Sequence, residues 1–454
     1  MHVMGIDIGT TTISIVLVDT DSGELVGRKT VANDSFCAGE FPESRVQDPE
    51  KIWALTCAAV QELTEKYGKP CGIGMTGQMH GMLYVDSDGT AASPLYTWQD
   101  GSGGRILKNG QTCAQYLKER AGNAAAGYGI TTHCYLQWTG RIPKEAVKMV
   151  TISDYIAMRL TGTKEAVISA DMAASWGCFD LARGEFYLHS LKDADVDVSY
   201  LPEICRKERI VGRTPEGIPV ICSVGDNQAS VLGTVQNMQD TVLVNIGTGS
   251  QVSMGTSGYL ECGGNIELRP CPPQGYIMAG SSLCGGRAYA MLEQFYREVS
   301  GGQTGDLYGL MLKQAEEFLQ RFGKDRAWKM DTAFSGTRKD PLRRGKAEGI
   351  DTENFHPGAM TVGMIAGILE ELYEYYEEMC RISGKHARQM VGSGNGLRKN
   401  PLMRRMAEER FGMTMKIPAF VEEAACGAAL YAMAEIGIAG SLEEAQRKIS
   451  YIEE

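Results

Sequence analysis

Asp226 follows the apolar run 219–224 and Gly225, so the chain presents an acid where a strand should give out. Polar groups that carry chemistry commonly sit at the carboxyl ends of strands in open α/β sheets. Asp226 therefore reads as a general base that orients a substrate hydroxyl and takes its proton; it also reads as a helix cap for 228–232. The segment Gly225-Asp-Asn-Gln228 stands between two loops of related spelling, Gly5-Ile-Asp-Ile-Gly-Thr-Thr-Thr12 and Val244-Asn-Ile-Gly-Thr-Gly-Ser250. A Gly/Thr turn between strands bares N–H groups and hydroxyls that can hold a polyphosphate. Gly9, Thr10, Thr11 and Thr12 form one candidate cradle, and Gly247, Thr248 and Gly249 the other. An acid between two such cradles points to transfer of a phosphoryl group, which depends mostly on positioning and charge neutralisation. Asp7 enters the first cradle where a bare carboxylate would repel phosphate, so its expected role is to hold Mg²⁺. Neither loop fits G-x-x-x-x-G-K-[ST], and no G-x-G-x-x-G opens a helix after the first strand.

Two further segments suit a polyol. Gln78-Met79-His80, flanked by Gly77 and Gly81, offers an amide, a thioether and an imidazole to hydroxyls and a carbon chain. Trp98 offers a flat face to sugar C–H groups, and Asp100 an acid for paired hydroxyls. Farther on, Gly392, Ser393, Gly394 and Asn395, with Asn400, suggest an adenosine platform at a helix N-terminus. The small-residue segment 424–429 is expected to pack beneath that platform.

The elements that must position these residues can be read from periodicity. Strands are expected near 3–8, 13–18 and 25–31, the first two joined by the turn at 9–11. A helix over 49–66 carries Ile52, Leu55, Ala59 and Leu63 on one face, with Gly68 beyond it. Strands 71–75 and 82–85, a helix over 153–160 and the strand 219–224 complete the first half. The pattern then restarts with strands 241–246 and 251–254, a long helix over 357–383 and a strand at 389–391. Asn400-Pro401 opens another helix and Ser441-Leu-Glu-Glu444 the last. The expected fold is thus α/β with two domains of similar topology, 1–236 carrying sugar contacts and the base, and 237–454 carrying ATP.

Length and composition agree: 454 residues allow two or three domains. A net charge of −11 argues against nucleic acid or an anionic membrane as partner. Thirteen scattered cysteines without a Cys-x-x-Cys pair speak for free thiols in a reducing cytoplasm and against zinc. Neither a secretory leader nor an 18-residue apolar span is evident.

In this order, Asp7-Ile-Gly-Thr-Thr, Gly77-Gln-Met-His-Gly81, Gly225-Asp-Asn-Gln-Ala229, Ile246-Gly-Thr-Gly249 and the segment 392–429 resemble the FGGY carbohydrate kinases along essentially the whole chain. The resemblance implies two ribonuclease-H-like domains of the actin/hexokinase/Hsp70 ATPase type, with ATP and sugar in an interdomain cleft. It implies Asp226 as catalytic base, sugar contacts from Met79 and His80, and ATP with Mg²⁺ as cofactors. Within the family, Thr97-Trp-Gln-Asp-Gly101 and the segment 169–177 are similar to sedoheptulokinases, whereas Asn227, a candidate substrate contact, is xylulokinase-like. The expected reaction is ATP-dependent phosphorylation of a ketose, sedoheptulose first, with xylulose or another pentulose or polyol as the alternative. A non-kinase actin- or Hsp70-like ATPase is the distant alternative, and a homodimer is left open.

Overall fold

The computed structural model describes residues 1–452 apart from 108–109, 207–208, 274, 303–304, 338–339 and 341. Residues 1–236, 270–274 and 420–450 form one compact unit; residues 237–269, 275–419 and 451–454 form a second. The sequence had suggested a single cut at 236. Instead the chain comes back, and 420–450 belong to the first unit.

In that unit β1 (His2–Ile8), β2 (Thr12–Asp19) and β3 (Leu25–Ala32) make an antiparallel meander. Val3, Met4, Ile6 and Ile8 of β1 are fully buried, as a central strand covered on both faces requires. α1 (Pro49–Tyr67) follows. The Asp48 carboxylate accepts the N–H groups of Glu50 at 2.9 Å and Lys51 at 3.3 Å, Pro49 presets the first turn, and Gly68 closes the helix. The chain then re-enters the sheet as the strand Ile73–Gly77, parallel to β1, and the later strands Pro219–Ile221 and Val224–Gly225 lie parallel to it in turn. Counting along the chain, the core order is 3-2-1-4-5, with Ile210–Arg213 added at one edge.

The second unit repeats this plan. Thr241–Ile246, Ser250–Thr256 and Tyr276–Ser282 form the meander, the 27-residue helix Pro357–Ser383 follows, and Gln389–Ser393 returns parallel to the first strand. Met415–Lys416 is the fifth strand, parallel to the fourth. Residues 7 and 245 occupy the same lattice point. Asp7 pairs with Ser14 and Thr76, and Asn245 pairs with Gln251 and Ser393.

The helix Glu423–Glu435 is buried from Ala425 through Met433. Its neighbours are the first unit's sheet and the helix Asp226–Thr234, so it belongs to the first unit, whereas the 392–396 segment it was expected to underlie belongs to the second. The packing is backbone to backbone. A Cβ on Gly5 would sit 1.8 Å from the Ala425 carbonyl oxygen, and one on Gly74 would sit 1.9 Å from that of Ala428. Among the described residues, no helix is long and apolar enough to cross a membrane.

Candidate active site

β1 delivers Asp7 one residue before the hairpin turn. The residue keeps partial exposure, yet its Oδ1 is sealed from solvent and has no hydrogen-bond partner among the described residues. Burial, with the carboxylates of Asp226 and Glu422 nearby, pushes its pKa from 3.8 up to about 7. Glu422 is held by the Thr30 hydroxyl, which donates to its Oε1 at 3.0 Å. At the matching point of the second unit no such tension exists, because Asn245 donates through Nδ2 to Ser393 Oγ at 2.6 Å. An orphan oxygen among three carboxylates fits a cation. No three acidic, His or Cys side chains among the described residues stand close enough to hold a metal alone. Asp7 could join water and phosphate oxygens around such a cation.

Asp226 lies in the same unit. The strand Val224–Gly225 leads into the helix Asp226–Thr234, so Asp226 is its first residue and Gly225 its cap, not Asp226 as the sequence allowed. The Asn227 N–H donates to Asp226 Oδ1 at 2.7 Å, and both residues stay partly exposed. Gly225 is boxed in: a Cβ there would lie 2.6 Å from Met79 Sδ.

The segment after the strand Ile73–Gly77 holds the polyol candidates. Gln78, 2% exposed, donates to Gln47 Oε1 at 2.9 Å and accepts from Thr10 Oγ1 at 3.3 Å. Gln47 closes the ring by donating to the Thr10 carbonyl at 2.9 Å, and Trp98 Nε1 donates to Thr10 Oγ1 at 3.0 Å. Thr10 therefore ties the first turn to the polyol segment. Asn33 braces that turn by donating to the Gly9 carbonyl at 2.8 Å and, from its own N–H, to that of Thr11 at 2.8 Å. Thr12 begins β2. Trp98 leaves 47% of its surface open, as a stacking face requires. Met79 is buried beside Gly225. His80 stacks on Tyr128 with centroids 4.6 Å apart, and its Nδ1 donates to the Ser175 carbonyl at 2.6 Å. A carbonyl only accepts, so Nδ1 carries a proton and Nε2 is the acceptor of the neutral ring. Asp100 departs from expectation. It is 1% exposed, and its two oxygens accept the N–H groups of Arg45 at 2.9 Å and Ser102 at 3.0 Å, which makes it an organiser of its loop.

In the second unit a cavity of about 700 Å³ is lined by Gly247, Thr248, Arg287, Tyr289, Tyr308, Asn395 and Asn400, among others. Gly286, second residue of a helix, lies directly against the turn, where a Cβ would meet the Gly247 carbonyl at 1.9 Å, and Arg287 N–H donates to the Thr248 carbonyl at 2.8 Å. The helix Gly285–Val299 thus brings its N-terminus and Arg287 to the second cradle, a place suited to phosphate. Tyr289 and Tyr308 stack at 5.7 Å and can take a flat base. Asn400 caps the helix Pro401–Phe411 through Met403 N–H at 3.0 Å. The remaining platform residues are scaffolding. Ser393 is bonded to Asn245, Gly392 packs beneath Met415, and Gly394, at φ +82°, passes the Ile246 carbonyl where a Cβ would clash at 2.5 Å. Gly249 accepts from Gly247 N–H at 2.9 Å and is not part of the cavity wall.

Sequence reasoning missed Gln47, Tyr128, Asp171, Ser175, Glu422, Arg287, Tyr289 and Tyr308. Only Gly285-Gly286-Arg287, a small-residue entry to a helix, carried a local signal of the kind used for the first loop.

The N-terminal domain model of the FGGY family of carbohydrate kinases matches residues 2–233, and the C-terminal domain model matches 244–436. Human sedoheptulokinase is 26% identical over 481 residues, covering 94% of this chain and 96% of that protein. A xylulose kinase from Streptomyces rubiginosus is 25% identical over 290 residues, covering 61% of this chain and 56% of its own. The crystal structure of xylulose kinase from Rhodospirillum rubrum shares the fold with a TM-score of 0.85 at 20% identity, over 100% of this chain and 93% of that one. With both domain models matched along the chain, it belongs to the FGGY family of carbohydrate kinases.

Proposed function

We propose that this kinase phosphorylates a ketose from ATP, with sedoheptulose as substrate and its 7-phosphate as product. The observation that carries the reading is the acid group of the first unit, where burial, then Asp226 and Glu422, raise the pKa of an Asp7 whose Oδ1 lacks a partner among the described residues. Asp226 orients the terminal hydroxyl and takes its proton as the oxygen meets phosphorus. His80 receives a sugar hydroxyl at Nε2, the open face of Trp98 lies along the carbon chain, and Asn227 offers an amide beside the base. In the second unit the Tyr289–Tyr308 stack takes adenine, while the 247–248 turn, Arg287 and the helix N-terminus take phosphates. Asp7 is the residue to hold Mg²⁺, which when bound offsets the charge of the phosphates.

Similarity to sedoheptulokinase along 94% of the chain favours the seven-carbon ketose. The 25% identity with a xylulose kinase favours xylulose as the second reading. A panel of ketoses with ATP and Mg²⁺, followed by ADP release, tests both. Sedoheptulose should give the highest kcat/KM, and absence of sugar-dependent ADP release would refute kinase action on ketoses. Asp226→Asn should keep ATP affinity and lose about 10²–10⁴ in kcat, the range for a positioned acid–base group.

A further inference from the structure

The helix Ala170–Ser175 has been given no part in the reaction so far, yet each of its ends grips one half of the polyol site. At its start Asp171, 3% exposed, accepts the Gly225 N–H through Oδ2 at 2.7 Å. Gly225 is the residue before Asp226, so this bond fixes the Val224–Gly225 peptide plane, one unit ahead of the base. At its end Ser175 accepts the His80 N–H through Oγ at 3.0 Å and the His80 Nδ1–H through its carbonyl at 2.6 Å. The next residue, the fully buried Trp176, donates from Nε1 to the Gly81 carbonyl at 3.0 Å.

These bonds hold geometry the local chain resists. His80 has φ +71°, a left-handed conformation that is strained for a non-glycine residue. Gly225 has lost its freedom on the other side, where Met79 Sδ occupies the space of a Cβ. A buried carboxylate is costly, but its charge makes the bond to the Gly225 N–H shorter and stronger than a neutral acceptor would.

We propose that Asp171 is a positioning residue for Asp226, and that the helix Ala170–Ser175 acts as a gauge setting the base against the imidazole of His80. This rests on the reading of Asp226 as base. The gauge makes separable demands: Asp171 governs the angle of proton removal, and therefore kcat, while Ser175 governs presentation of His80, and therefore the ketose KM.

Steady-state kinetics of Asp171→Ala, Asp171→Asn and Ser175→Ala in the full-length chain test the idea. Asp171→Ala should lower kcat about 10²-fold, the cost of misplacing a reacting group by roughly 1 Å, with the ketose KM within about threefold and ATP affinity unchanged. Asp171→Asn retains an oxygen acceptor for the Gly225 N–H and should recover most of kcat. Ser175→Ala should raise the ketose KM several-fold while kcat falls less than in Asp171→Ala. Equal loss in Asp171→Ala and Asp171→Asn, or a folded Asp171→Ala with kcat within about threefold of the parent, would overturn the proposal. If Asp171→Ala does not fold, Asp171→Ser, whose hydroxyl is too short to reach, replaces it in the comparison with Asn under the same criteria. Asp226→Asn separates the layers. If it keeps turnover, the base assignment fails; if it loses turnover while the Asp171 variants stay normal, only the gauge fails.

Discussion

Asp7 sits in an environment that would be hostile to its charge without a cation. Its carboxyl is held near a pKa of about 7 by burial and by two neighbouring acids, against 3.8 ordinarily. The folded protein thus binds this proton more tightly than the unfolded chain does. The stabilisation is complete below about pH 4 and drains away as pH rises through about 7. In metal- and nucleotide-free protein, Asp7→Asn should therefore raise the unfolding free energy at pH 8, by on the order of a few kcal/mol, and make little difference at pH 4. Urea titrations at the two pH values check this, and a gain independent of pH would assign the effect to packing instead. Mg²⁺ with ATP should narrow the gap at pH 8 by stabilising only the parent. The contrast with Asn245 sharpens the point: the same lattice position carries an internally satisfied amide where no cation is called for.

The strongest constraint among the secondary elements is the contact between the helix Glu423–Glu435 and the sheet holding Asp7. Glycine at 5 and 74 lets main chains touch there, as glycine at 233 and 427 does between that helix and Asp226–Thr234, and each site would place a Cβ within 2.1 Å of a carbonyl oxygen. Gly74→Ala must push against the Ala428 carbonyl at 1.9 Å, and a backbone atom cannot rotate away. We expect a loss of about 3 kcal/mol or more in urea unfolding, at the upper end for overpacking. Gly162→Ala supplies the control. That residue closes the helix Ile152–Thr161 at φ +70° with nothing within 4 Å, so only the left-handed backbone is penalised, by about 1 kcal/mol. Elements of this kind were readable in advance where they obey local rules: the two hairpin turns, the Asp226 strand end, and the long helix Pro357–Ser383 with its cap and stop. Asp171, Ser175, Gln47 and Glu422 were not readable. They meet their partners 31–392 residues away in sequence, and no local period records such a meeting. Asp100 misled because its neighbours Trp98 and Gln99 suit a sugar while its own oxygens are spent on the backbone amides of Arg45, far off in sequence, and Ser102, close by.

Two repeats of one 3-2-1-4-5 sheet frame the two units, and that duplication was visible in the paired spelling of the loops. The return of 420–450 was not, because a run such as Ala424-Ala-Cys-Gly-Ala-Ala429 announces close packing without naming the surface that receives it. A fragment ending at 419 would lose the helix against β1 and Ile73–Gly77, and with it Glu422. Such a fragment should show no cooperative loss of the first unit's structure on heating, and rapid proteolysis within 1–236. A sharp transition for residues 1–236 in the fragment would show that the unit is complete without its late segment.

That arrangement sets an order on events at the ribosome. A nascent chain that has emerged to residue 236 has its first sheet but not the segment that covers one side of it. At 5–20 residues per second, about 184 further residues take roughly 10–40 s to be made. Throughout that interval apolar strands stand uncovered, in reach of neighbouring chains, so production of this enzyme in cells should be sensitive to translation speed and to the supply of holding chaperones.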